Sequence, residues 1–262
     1  MKKDPLWYRI RGLDTMEERF GDYPIQKFLK KRTQIEDLVR VMELGFGEGR
    51  CLLELRTLFP ELEYYGINNK KEGNMHARSD FNKNAQRFGL SIPNKNMPKP
   101  FFYDAGEGLH FDSNSLDLIM SQVAFHYISE KAKIIEEVWR VLKPGGKAFL
   151  HIDAVPKENY PDFMKSNPET PRFVIYDGDK MVKLSTYLGK IKKSGHDLKF
   201  RNASNNKDQR VLLLTKNTGE KLDLGLRFDG ISTLNLAQIK GLDSYKTESG
   251  VWWGTRSVYY LK

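Results

Sequence analysis

The sequence holds one cysteine, Cys51, in 262 residues. A single thiol excludes an intramolecular disulfide framework and any multi-cysteine zinc or iron–sulfur site. Long apolar runs are also missing: no window approaches the roughly 18 apolar residues of a membrane-spanning helix. The first residues, Met1-Lys2-Lys3-Asp4-Pro5, lead into mixed charged and apolar positions without a signal-peptide core. These absences point to a soluble chain in a reducing, cytoplasmic setting. Repeats and low-complexity stretches are lacking as well. Hydrophobic residues make up 39%, charged residues 29% and aromatics 12%, with a mean hydropathy of −0.59. That balance excludes disordered and fibrous classes and fits one large α/β domain, or one domain with an appendage.

The net charge of +9 is uneven. Residues 1–153 carry 24 basic and 22 acidic groups, whereas residues 154–262 carry 19 and 12. The densest stretch runs from Lys180 to Arg201, where seven basic residues face only Asp197. Such a field attracts phosphates, nucleic acid or anionic lipid headgroups. A solvated lysine-rich surface has the same composition, and only Tyr187 and Phe200 are there to stack on bases.

Apolar periodicity predicts helix over 14–38, with Asp22 before Pro24 as a cap and first-turn pair, then a strand over 39–44 ending in glycines. A helix over 49–59, a strand over 62–67 and a helix over 72–88 follow. Further strands are expected at 101–103, 115–121 and 147–152, with a helix over 129–142. Strands alternating with helices imply right-handed crossovers and a doubly wound, mostly parallel α/β sheet. Beyond it, 154–172 contains four prolines and reads as a surface excursion or lid. A helix over 179–193 is predicted from Met181, Leu184, Leu188 and Ile191. Strand-like runs at 197–203, 210–216 and 221–228 suggest an antiparallel extension, and an aromatic tail spans 251–261. The expected organisation is an N-terminal helical segment (1–38), a core (39–153) and a lid-plus-strand region (154–262).

The most informative residues are Val41-Met42-Glu43-Leu44-Gly45-Phe46-Gly47-Glu48-Gly49-Arg50, a strand turning through three glycines into a helix. Such a turn lets backbone approach a ligand and aims free N–H groups at its negative part. The dinucleotide fingerprint needs a glycine where Arg50 stands. With Glu43 two residues before Gly45, the run instead resembles the first motif of the class I S-adenosylmethionine-dependent methyltransferases. Tyr65-Gly66-Ile67-Asn68, Asp104-Ala105, Leu116 to Ser121 and Glu137 to Gly146 resemble that family's later motifs in order. The resemblance covers 39–152 and is most like the small-molecule and lipid branch.

That resemblance implies a Rossmann-like sheet of the class I methyltransferase type and S-adenosylmethionine as cofactor, with S-adenosylhomocysteine as product. Gly45, Phe46, Gly47 and Gly49 would cradle its methionine part, and Glu43 would anchor its ammonium. Asn68, standing where the family usually has an acidic residue, and Asn69 would meet the ribose; Asp104 and Ala105 would meet the adenine; Gln122 would complete the site. His126 and Tyr127, just beyond the fourth strand, are the expected catalytic pair, with His151 and Asp153 as weaker acceptor contacts. Trp7, Tyr8, Arg9 and Arg11 would fold over the cofactor. The residues after Ser121 lack the Pro-Pro-aromatic turn of amino-directed nucleic-acid methyltransferases, and Cys51 is misplaced for carbon-5 pyrimidine chemistry. No metal constellation is evident. The expected activity is methyl transfer to a small-molecule acceptor, anionic or lipid. An RNA methyltransferase using the 180–201 stretch, or a non-catalytic cofactor-binding relative, are the other readings.

Overall fold

The computed structural model describes residues 11–69, 77–122, 124, 125, 128, 131–153, 175–177, 180–182, 197–205, 210–217, 219–224, 227 and 228. Within them α1 is Leu13–Phe20, α2 Pro24–Arg32, α3 Arg50–Leu58, α4 Ser79–Arg87 and α5 Lys131–Val141. The strands are β1 Arg40–Leu44, β2 Glu63–Asn68, β3 Lys99–Phe102, β4 Leu116–Ser121, β5 Leu142–Asp153, β6 Ile175–Asp177, β7 Lys180–Val182, β8 Asp197–Asn202, β9 Arg210–Thr215 and β10 Arg227–Phe228. Seven of them form one sheet in the order β3-β2-β1-β4-β5-β9-β8. All pairs from β3 to β5 are parallel, and β9 runs antiparallel to both β5 and β8. A second, three-stranded antiparallel sheet joins β10, β6 and β7.

A parallel sheet needs cover on both faces, and the alternation along β1, β4 and β5 supplies two apolar layers. Met42, Leu44, Ile119, Ala148 and Leu150 pack with Ile134, Ile135, Val138 and Trp139 of α5. On the opposite face Val41, Leu118, Met120 and Phe149 pack with residues from α1 to α4, including Met16, Phe20, Leu29, Leu52 and Phe81. The doubly wound sheet with an antiparallel extension, expected from the sequence, is thereby observed.

Several boundaries differ from the sequence reading. The stretch 14–38 is two helices, because Gly21, Asp22 and Tyr23 all take positive φ and turn the chain between α1 and α2. Asp22 does not cap α2; the buried Glu17 does, accepting from Ile25 N at 3.2 Å and Gln26 N at 2.9 Å. Lys180–Val182 pairs antiparallel with Ile175–Asp177, so the helix predicted over 179–193 does not begin there, and 183–196 lie outside the described residues. Of the strand expected over 221–228, residues 221–224 are not strand, and Arg227–Phe228 pairs in the second sheet. The proline-rich excursion, the aromatic tail and residues 1–10 also lie outside the described residues.

The amino edge of the main sheet is held by charge. Asp117, fully buried on β4, accepts from Arg32 Nε of α2 and from Arg40 N of β1, both at 2.8 Å, and pairs with Lys143 Nζ at 3.0 Å. Three cationic or N–H partners compensate a desolvated carboxylate. The opposite, carboxyl edge is where open α/β sheets place ligands.

Candidate active site

At the end of β1 the chain turns through Gly45 (φ +68°), Gly47 (+56°) and Gly49 (+80°). A Cβ on Gly45 would lie 2.0 Å from that of Ala124, so only glycine fits under the segment leaving β4. A Cβ on Gly47 would meet nothing within 4 Å: its open side is a cradle that a side chain would fill. Phe46 turns inward, buried and stacked on Phe81 at 5.4 Å, so only its backbone faces the turn. The helix α3 that follows has no side-chain cap at Gly49, leaving its first N–H groups for a ligand.

The turn is fastened from outside. Asn68, ending β2, donates from Nδ2 to Gly47 O at 3.0 Å and accepts at Oδ1 from Gly47 N at 3.1 Å. One side chain thus holds both polar groups of one peptide residue. Asn84 of α4 donates to Glu48 O at 2.9 Å, and Arg87 pairs with the Glu48 carboxylate.

Glu43 lies one turn below, at 3% exposure. Its Oε2 has no hydrogen-bond partner. Burial pushes its carboxyl well above the usual range; the nearby Arg11 opposes that shift and Glu54 adds to it. At the far side of the turn, Asp104 accepts from Gly106 N at 2.8 Å and starts a short 3₁₀ turn over Ala105–Glu107, with Asp104 exposed and Ala105 buried. Asn69, at the end of β2, is partly buried.

Toward the middle of the sheet, Glu43 of β1 is level with Met120 of β4, and Met120 with Phe149 of β5. Two residues further along lie Gln122 and His151, buried at 2% and 0%. Neither amide atom of Gln122 has a hydrogen-bond partner. His126 and Tyr127 lie outside the described residues, as do Trp7, Tyr8 and Arg9; Asp153 is placed as backbone only, opposite Arg210. The structure therefore brings Glu43, Gly45, Gly47, Gly49, Asn68, Asp104, Ala105, Gln122 and His151 to one edge.

Sequence reasoning missed Arg19. It is 7% exposed, and its Nε and Nη1 lack partners. Its signal was its place at i+3 from Met16 and beside Phe20 on the apolar stripe of α1, where a guanidinium is out of keeping.

The orphaned Glu43 oxygen, the uncapped α3 and the open side of Gly47 fit a ligand with a cation near β1 and an electron-rich part at the helix start. A methionine moiety carries its ammonium and carboxylate in that way.

Residues 42–150 match the protein family described as "Methyltransferase domain". The chain is similar to arsenite methyltransferase of Mus musculus, 27% identical over 129 residues, covering 49% of this chain and 34% of that protein. It is also similar to arsenite methyltransferase of Aquipseudomonas alcaligenes, 26% identical over 115 residues, covering 44% and 32%. The chain thus spans about a third of the length of these curated relatives. Among solved structures, one similar chain is a candidate S-adenosyl-L-methionine-dependent methyltransferase from Methanococcus maripaludis, 16% identical with a TM-score of 0.48, over 76% of this chain and 86% of that one. No helix of the described residues is long and apolar enough to cross a membrane. The methyltransferase-domain match thus spans the same β1-to-β5 segment that carries the glycine turn, Asn68, Asp104 and Gln122.

Proposed function

We propose that the chain transfers a methyl group to a small-molecule acceptor held at the carboxyl edge beside β4, β5 and β9. The observation that carries this reading is the buried, unpartnered Glu43 oxygen directly below the open Gly47 turn. When bound, S-adenosylmethionine supplies an electrophilic methyl group on a sulfonium. The Gly45–Gly49 backbone and the start of α3 receive its methionine part, and Glu43 takes the ammonium. Asp104 keeps one oxygen without a protein hydrogen bond for the adenine amino group, while Ala105 lies against the ring. Asn68 spends one hydrogen and one lone pair on Gly47, so only its remaining hydrogen and lone pair serve a ribose hydroxyl, with Asn69 beside it. Gln122 closes the site toward the acceptor, and His126 and Tyr127 are the proposed groups nearest the transferred methyl. In-line displacement demands alignment above all, with a base needed only where the acceptor must lose a proton.

Arsenite is not the acceptor favoured here. Arsenic(III) is a soft centre that prefers thiolates, and within these 262 residues the only thiol is Cys51, which lies at 1% exposure with its pKa raised by burial. The RNA reading draws on the basic 180–201 stretch. Arg201 there already donates to Phe20 O and, at 2.9 Å, to Ser204 Oγ, so it is tied into the fold.

Calorimetric titration with S-adenosylmethionine and S-adenosylhomocysteine tests the cofactor site. The wild-type chain is expected to bind both in the low-micromolar range. Gly47→Arg fills the open side of the turn and should abolish binding while leaving the circular dichroism spectrum intact. No binding by the wild type up to millimolar cofactor would sink the proposal.

A further inference from the structure

We infer that Arg19 is the anion-binding residue of the acceptor site, so that the methyl acceptor carries an oxyanion, a carboxylate or a phosphate. This inference names the substrate class of the site proposed above and rests on that reading.

The placement of α1 comes first. Its amino end is fixed to α3, where Glu54 Oε2 accepts from Leu13 N at 2.6 Å. Its carboxyl end reaches the other half of the sheet. The ring of Phe20 meets Phe149 of β5 edge-on at 5.3 Å, Ser204 N donates to Arg19 O at 2.8 Å, and Arg201 of β8 donates to Phe20 O. The helix therefore crosses the sheet from the β1 side to the β5–β9–β8 side. Arg19 stands at its far end, at the carboxyl edge, because α2 runs from there back to Arg32 and Asp117 at the amino edge. The glycine turn lies above β1 and the adenine-side residues beyond β2 and β3. Arg19 is on the opposite flank, over strands that the cofactor site does not use.

The chemistry comes second. A guanidinium presents five donors in a planar fork and stays charged at neutral pH. Here two of its nitrogens are buried without a partner, and no carboxylate forms an ion pair with it among the described residues. Desolvation and the proximity of Arg11 oppose its charge, and only Glu18 favours it. Buried charges in folded proteins are paired, because leaving one unpaired costs several kcal/mol. A second orphan points the same way: Gln122, 2% exposed just past the end of β4, has neither amide atom satisfied. Leu118 and Met120 both pack on the α1 side of the sheet, and Gln122 continues that alternation. A fork of donors and an unsatisfied amide, both removed from water on the acceptor flank, match a planar or tetrahedral oxyanion. Such a group, an acceptor through several oxygens, would supply the charge-assisted hydrogen bonds that this guanidinium lacks.

The test uses the full chain, with and without saturating S-adenosylhomocysteine, and follows thermal unfolding in succinate, inorganic phosphate or neutral succinamide at constant ionic strength. Wild type should be stabilised by succinate or phosphate but not by succinamide, and the stronger of the two anions tells carboxylate from phosphate. Arg19→Met keeps the length of the side chain and removes the charge. It should fold, bind S-adenosylhomocysteine within about twofold of wild type, and lose the anion-dependent shift; Arg19→Lys should retain a reduced shift. An anion shift equal in wild type and Arg19→Met overturns the inference, as does its absence from wild type. Loss of S-adenosylhomocysteine binding in Arg19→Met with the anion shift intact also overturns it, by assigning Arg19 to the cofactor. If wild type fails to bind S-adenosylhomocysteine, the cofactor reading falls on its own, since the anion shift is read separately.

Discussion

Glu43 is the residue at which stability and ligand binding pull in opposite directions. Its carboxyl is desolvated on a strand otherwise buried among Val41, Met42 and Leu44, and its pKa is raised well above the unfolded value of 4.5. Over the pH range between those two values, the unfolded chain has lost a proton that the folded chain keeps. Stability contributed by neutral Glu43 is therefore fully present below about pH 4.5 and is lost as pH rises toward the folded pKa. Glu43→Gln removes that loss. We expect the variant to unfold at a higher denaturant concentration than wild type at pH 8, with the gap closing toward pH 4, as followed by urea titration across pH. The same change removes the carboxylate proposed to meet the cofactor's ammonium. S-adenosylhomocysteine affinity should fall at least tenfold, about 1.4 kcal/mol or more. A variant that is more stable at pH 8 yet binds as well as wild type would separate Glu43 from the ligand. The position of Glu43 two residues ahead of Gly45 was legible in the sequence, because strand and turn together fix where it falls. The clasp of Asn68 on Gly47 was not. It joins residues 21 apart, and a spacing pattern carries no information on which way a side-chain amide turns.

At the scale of elements, α5 shows how a distant strand finishes a helix. Val141, its last residue, runs directly into β5 through Leu142, with no glycine stop at that point. The last two carbonyls of α5 instead accept from backbone, Arg140 O from Asn114 N at 3.0 Å and Val141 O from Ser115 N at 2.8 Å, and Lys216, which follows β9 and is 3% exposed, adds a cation there. Its ammonium donates to Trp139 O at 2.9 Å, Arg140 O at 3.3 Å and Asn114 Oδ1 at 2.8 Å. A cation at a helix carboxyl end opposes the macrodipole while donating to the acceptors there. Lys216→Met preserves most of the apolar stem and removes both effects, and about 2 kcal/mol should be lost in equilibrium urea unfolding. A loss under 0.5 kcal/mol, on the order of an ordinary surface change, would mean that water replaces the ammonium there. Periodicity found α5 and the strands around it because a two-sided sheet imposes long apolar runs. It did not find Lys216 as a cap, since that role depends on β9 returning antiparallel beside β5. The same reasoning explains the failure at 14–38 and at 180: Glu17 caps α2 from the preceding helix, and an apolar stripe through Met181 is shared by helix and strand until a pairing partner decides.

For the whole molecule, α1 is the member that joins the two halves of the sheet. It is eight residues long, and its Gly12 N-cap offers no side-chain bond. A helix this short does not persist alone in water. Its attachments are Glu54 on α3 at one end, and Phe149, Ser204 and Arg201 at the other. Removing the cap with Glu54→Ala also releases Arg50, which pairs with Glu54 at 2.6 Å. Loss of a helix cap costs about 1 kcal/mol, which makes local opening of α1 about fivefold more frequent. Amides of Leu13 to Phe20 should then exchange with deuterium about fivefold faster, while those of β1 and β4 keep the rate set by global unfolding. Ligand affinity should hardly move, because the closed population stays near unity until opening becomes comparable to closing. Exchange is therefore the sensitive observable. If β1 and β4 accelerate along with α1, the helix is not a separable unit, and the two halves of the sheet open together. If α1 alone accelerates, the helix carrying Arg19 is a separable unit over the β5–β9–β8 side of the sheet, closed nearly all the time and opened at a cost that a single side chain can tune.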